Sequence, residues 1–199
     1  MKKILDIIIA IVSLCLLSSC ALGPLDTEKI FDLKPGEKLY TAHNMWADGN
    51  NEITHLNYRQ GRLLPFGTEV DIIEAYNNEI LIKDIRTNEQ FKLKAMKKTL
   101  VLRPVEHFRR LFTKKTPEKL VEGINPEVLG KIRQGVIEKG MTRNEVILSY
   151  GYPPPHRNPD INESSWIYFE NETDTDRVIF NKKGILIDII KHEHNEVKK

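Results

Sequence analysis

Three observations predict an α+β protein. Between Leu39 and Met96, five short β-prone runs alternate with turns rich in Gly and Asn, the pattern of a small β-barrel. From Asn125 to Pro153, two helical segments with specified ends follow one another so tightly that an αα-hairpin is expected. After a proline-rich exit, a W-x-Y run and a hydrophobic hairpin supply a three-stranded antiparallel sheet for the helices to cover. The expected plan is a leader over residues 1–19, a tether over 20–38 and a β-barrel over 39–98. A basic helical connector over 99–124, an α+β domain over 125–192 and a charged tail over 193–199 complete it.

Lys2 and Lys3 form a positive n-region, and Ile7 to Leu17 form an apolar stretch too short for a stable membrane span. It ends in Leu17-Ser18-Ser19-Cys20, which resembles a bacterial lipobox: an aliphatic residue, two small ones, then a cysteine. The resemblance implies cleavage before Cys20 and acylation of its thiol, and Ala21 after it resembles the sorting of lipoproteins to the outer membrane. Cys15 would leave with the leader, so no thiol remains for a disulfide or a thiolate metal site. Removing Lys2, Lys3 and Asp6 lowers the 30 basic and 28 acidic residues to 28 and 27, which excludes a bulk electrostatic case for nucleic acid. The next eighteen residues, Ala21 to Lys38, lack periodicity and read as a coil with an r.m.s. reach of about 24 Å.

The β-prone runs are Leu39–Trp46, Ile53–Tyr58, Glu69–Ala75, Ile80–Ile85 and Gln90–Lys94. RLLPFGTEVDII loosely resembles the strand of bacterial SH3-like modules in which a Gly-Thr turn precedes an apolar run, which implies an SH3-like barrel. Asn78-Glu79 stands where many such modules carry an aromatic ligand-binding residue. From Lys92 to Lys119 there are ten Lys or Arg against two acids, and from Asp160 to Asp176 six acids and no Lys or Arg. These stretches read either as solvated faces or, for the basic one, as a surface for anionic headgroups. Within it, Val105, Phe108, Leu111 and Phe112 fall near helical spacing, and Thr116-Pro117 opens a second short turn.

Asn125-Pro126-Glu127 supplies an N-cap, an N1 proline and a dipole-favourable acid for a helix running to Lys139. The next helix has both ends written out. Thr142 and Glu145 make a capping box, Met141 and Val146 a hydrophobic staple, and Gly151 a left-handed terminus that Pro153 seals. GMTRNEV, GYP, WIYF (Trp166 to Phe169) and RVIFNKKGILIDI together resemble the SmpA/OmlA (BamE) family over about Asn125 to Lys191. The family's members are small outer-membrane lipoproteins of the β-barrel assembly machinery. The resemblance implies an αα-hairpin on a three-stranded sheet, a periplasm-facing position on the outer membrane and that machinery as partner.

No phosphate loop, nucleophile elbow or HExxH is present, and no cofactor is called for. His192-Glu193-His194 lacks a third metal ligand, and His43, His55, His107 and His156 cannot be brought together from sequence. The chain is therefore expected to be no enzyme but an anchored interaction protein, with a cell-wall or ligand-binding module as the alternative. Cys20 is its attachment site, and Trp166, Tyr168, Arg109 and Arg110 are its candidate contact surface.

Overall fold

A computed structural model describes residues 24–95, 99 and 101–194. The leader with Leu17, Ser18 and Ser19, the anchor at Cys20, and the side chains of His192, Glu193 and His194 lie outside what it describes. The chain is α+β, with most of its regular structure in sheets. Strands β1 (Leu39–Thr41), β3 (Glu52–Thr54), β5 (Glu69–Tyr76), β6 (Glu79–Asp84), β7 (Gln90–Lys94) and β8 (Phe112–Thr113) form a curled half-barrel in the order β3-β7-β6-β5-β1-β8. Its pairs are antiparallel except β3 with β7. A two-stranded sheet pairs β2 (Met45–Ala47) with β4 (Arg62–Leu64), and β11 (Leu186–His194), β10 (Asp174–Phe180) and β9 (Ser165–Phe169) form the third sheet in that order.

The run from Leu39 to Trp46, expected as one strand, breaks at Ala42–Asn44. Asn44 is the reason. Its backbone N–H donates to the carbonyl of Leu148 at 3.0 Å, and its side-chain amide donates to Ile132 at 2.6 Å and Ser149 at 3.2 Å. Its amide oxygen accepts from the N–H of Phe66 at 2.9 Å. A wholly buried asparagine must satisfy every polar atom, and here it does so across the chain rather than in a ladder. Continuing the strand would take its backbone N–H away from Leu148.

The helices tie the β-module to what flanks it. The expected coil ends early: the N–H of Leu25 donates to Ala75 at 2.7 Å, and Asp26 caps α1 (Thr27–Phe31) through the N–H of Lys29 at 3.1 Å. Ile30 and Phe31 are buried in the β-module core. Helix α2 (Pro104–Leu111) buries Phe108 and Leu111 in the same core, and Phe112 follows into β8, which pairs with β1. The basic connector is thus a wall of the half-barrel, because the apolar face of its helix is the part that covers the open sheet. Thr116 and Pro117 open α3 (Pro117–Leu120) where expected.

A second core lies under α4 (Pro126–Arg133) and α5 (Arg143–Tyr150). The capping box of α5 is formed: Thr142 N–H donates to Glu145 Oε2 at 2.6 Å and Glu145 N–H donates to Thr142 Oγ1 at 3.3 Å. Met141 and Val146 are both buried in this core. Helix α4 ends at Arg133, short of the expected Lys139, because Gly135 takes a left-handed φ of 67° and breaks the turn. A Cβ at that glycine would stand 2.6 Å from Cζ2 of Trp46, so the backbone there needs Gly twice over.

Arg59 is a second link between the two cores. Its guanidinium lies 4.3 Å above the ring of Tyr150 and donates to Asp176 at 2.5 Å and to the carbonyl of Phe169 at 3.3 Å. Asp176 is fully buried and also accepts from Lys191 at 2.7 Å. Part of the acidic stretch therefore faces inward. Asn57 adds amide donations to the carbonyls of Asn44 at 3.1 Å and Tyr150 at 3.0 Å.

The two glycines of α4 and its exit should respond oppositely to alanine. A methyl added at Gly130 would meet nothing within 4 Å, so Gly130→Ala is expected to stabilise by about 0.5–1 kcal/mol in urea unfolding. Gly135→Ala adds left-handed strain and a clash with Trp46, and is expected to destabilise by about 3 kcal/mol in the same assay.

Candidate functional site

Two features stand out on this scaffold: a histidine-lined cavity at the seam between the cores, and a cationic groove beside the N-terminal helix. The break after β1 sets His43 at the seam, the end of β3 delivers His55, and α2 delivers His107. All three line one narrow cavity with Arg110 of α2 and Tyr152, Pro153 and Pro155 of the chain's exit from α5. The free space inside is about 30 Å³, room for a water molecule but not for an organic ligand.

The histidine rings are held neutral. His43 Nδ1 lies 2.9 Å from the carbonyl of Asn44 and therefore carries the proton, while its buried Nε2 has no hydrogen-bond partner among the described residues. Burial pulls its pKa down to about 4, against the opposing pull of the Asn44 carbonyl. His55 falls to about 4 through burial and then the charge of His156; its Nε2 sits 2.6 Å from Thr99 Oγ1. His107, whose ring meets His55 edge-on at 6.2 Å, falls to about 3 through burial and then the charge of His55. No group of three or more His, Cys, Asp or Glu among the described residues is positioned to hold a metal ion.

The groove is open, about 690 Å³, and runs along α1, the end of α2, β8 and the turn into α3. Ile30, Phe31, Leu39 and Phe112 form its floor, and Arg109, Lys114, Lys115 and Lys119 its rim, with Asp32 among them. Arg109 is held there by donation of its Nε to the carbonyl of Ile30 at 2.8 Å.

Of the four residues expected as a contact surface, Trp166 and Tyr168 are buried, Arg110 is half-buried and Arg109 is exposed. Trp166 is fully buried, donating from Nε1 to Ile161 at 3.1 Å, and Tyr168 is 3% exposed with its hydroxyl donating to Gly151 at 3.0 Å. They are core side chains, and burial pushes the Tyr168 hydroxyl well above its ordinary pKa. The alternation of β9 says that one pair goes inside but not which pair it is; Trp166 and Tyr168 are that pair, and Phe169 at the strand's end is buried as well. Arg109 is exposed at the groove, while Arg110 turns the other way and covers the ring of Tyr152 at 5.1 Å. Tyr152 also meets His43 edge-on at 6.0 Å. The histidine convergence was invisible in sequence because it is wholly tertiary: its members share neither a periodicity nor a motif.

Comparison of the chain with protein-family models, curated proteins and solved structures gives no match.

The buried rings make stability depend on pH in a defined direction. A histidine whose folded pKa lies below its unfolded value binds protons more readily in the unfolded chain, so stability is complete above about pH 6.5. It then falls with pH until the folded pKa of about 4 is passed for His43 and about 3 for His107. For His43 alone the loss is on the order of 3 kcal/mol. Urea midpoints measured at pH 7 and pH 4.5 should drop steeply in the wild type and less in His43→Gln.

Proposed function

We propose that this protein is a lipid-anchored component of the bacterial envelope that acts by binding partners at the membrane surface, not by catalysis. The observation that carries the reading is where the fold begins. Leu25 is already hydrogen-bonded to the half-barrel, five residues beyond the lipobox cysteine Cys20. Even fully extended, that stretch spans only about 17 Å. With acyl chains on Cys20 in the periplasmic leaflet of the outer membrane, the folded body is held against the membrane rather than suspended on a long tether. No helix among the described residues is long and apolar enough to cross a membrane.

In this reading the curled sheet with its α2 wall corresponds to an SH3-like module, and residues 125–192 to a BamE-like domain of an αα-hairpin on a three-stranded sheet. What supports the second correspondence is the order of its parts: α4, the boxed helix α5, the W-x-Y strand β9 and the β10–β11 hairpin turning at Gly184. The partner that fits is then the β-barrel assembly machinery of the outer membrane. Anchored so closely, the body meets that partner at membrane height.

The test is cross-linking in cells of the full-length protein beside its Cys20→Ala form, with fractionation. The wild type should sediment with membranes and cross-link to β-barrel assembly proteins, and Cys20→Ala should lose both. Membrane association that survives Cys20→Ala would overturn the anchor. Cross-links confined to peptidoglycan-linked proteins would overturn the assembly role in favour of cell-wall binding by the SH3-like module.

A further inference from the structure

The cationic groove beside α1 has a rim and a floor of opposite character, and its charges are not all spoken for. Lys114 is neutralised by Glu37 at 3.2 Å and Asp32 at 3.7 Å, and Arg109 spends its Nε on the Ile30 carbonyl. Lys115 and Lys119, by contrast, are exposed and form no ion pair among the described residues. They stand over the apolar floor within the same open volume. Cations alone would suit any anion. Cations above a floor of Ile30, Phe31, Leu39 and Phe112 suit an anion that brings hydrocarbon with it.

We propose that this groove receives the headgroup of an anionic membrane phospholipid, with the phosphate between Lys115 and Lys119 and the glycerol carbons over the floor. The proposal rests on the anchor reading and adds an orientation to it. The groove is walled by α1, the first element after the anchor, and Cys20 can lie only a few residues from it. A short anchor keeps headgroups at high effective concentration beside the rim, so each contact needs little intrinsic affinity to be occupied. Basic side chains close to an anionic surface add attraction that salt screens.

The experiment uses the mature chain with Cys20→Ser, so that no acyl chain can contribute, and follows flotation with vesicles. Mixed phosphatidylglycerol–phosphatidylcholine vesicles should carry the protein, and phosphatidylcholine vesicles should not. Lys115→Glu/Lys119→Glu, made at exposed positions and checked for an unchanged melting temperature, should bind the anionic vesicles at least about tenfold more weakly. Equal binding by that variant, or equal binding to neutral vesicles, would overturn the proposal. Soluble glycerol phosphate competing as well as the vesicles would assign the site to a free phosphate and overturn it too. Because the protein here is unlipidated, a negative result leaves the Cys20 anchor standing, and loss of the anchor in cells leaves this binding measurable.

Discussion

The structure depends on a set of polar contacts that run between its two hydrophobic cores. Asn44 and Arg59 leave the β-module and end on helices and strands of the C-terminal half: the carbonyls of Ile132, Ser149 and Phe169 and the carboxylate of Asp176. Nonpolar burial can hold two such bodies together in many registers. A buried amide with three partners and a desolvated guanidinium on a desolvated carboxylate allow one. Trp46 against Gly135 and against the ring of Tyr150 then fills the seam that these contacts align. The same alignment lays Tyr152, Pro153 and Pro155 of the C-terminal half over the three histidines that the β-module gathers.

Local signals were legible where the backbone must obey them. The capping box at Thr142 and Glu145, the N-cap at Asn125, the Asn181–Gly184 turn and the strands from Glu69 to Lys94 all lie where the residues put them. What the sequence did not disclose is what tertiary contact decides. Nothing local says that Asn44 ends a strand, that Gly135 rather than Gly140 ends α4, or that Arg62–Leu64 pairs with Met45–Ala47. The helical spacing of Val105, Phe108, Leu111 and Phe112 marked an apolar face on the connector that would dock on a domain, and those side chains do pack into the β-module core. Of the candidate contact residues, charge marked Arg109 as exposed, while the burial of Tyr168 comes with a tertiary hydrogen bond to a carbonyl seventeen residues away.

The basic and acidic stretches, nearly cancelling in net charge, have different fates. Asp176 is drawn inside to meet Arg59 and Lys191, while Lys115 and Lys119 stay on the surface near the start of the fold. That segregation gives the molecule a cationic groove beside α1. On the proposed anchoring at Cys20, that cationic groove and the seam would give the body a fixed posture at a membrane.

That posture requires the two cores to behave as one body, and scanning calorimetry of the mature chain tests this directly. The account predicts a single cooperative transition with the calorimetric and van't Hoff enthalpies in agreement. Two resolved transitions, or a van't Hoff enthalpy far below the calorimetric one, would show that the Asn44 and Arg59 contacts do not couple the halves.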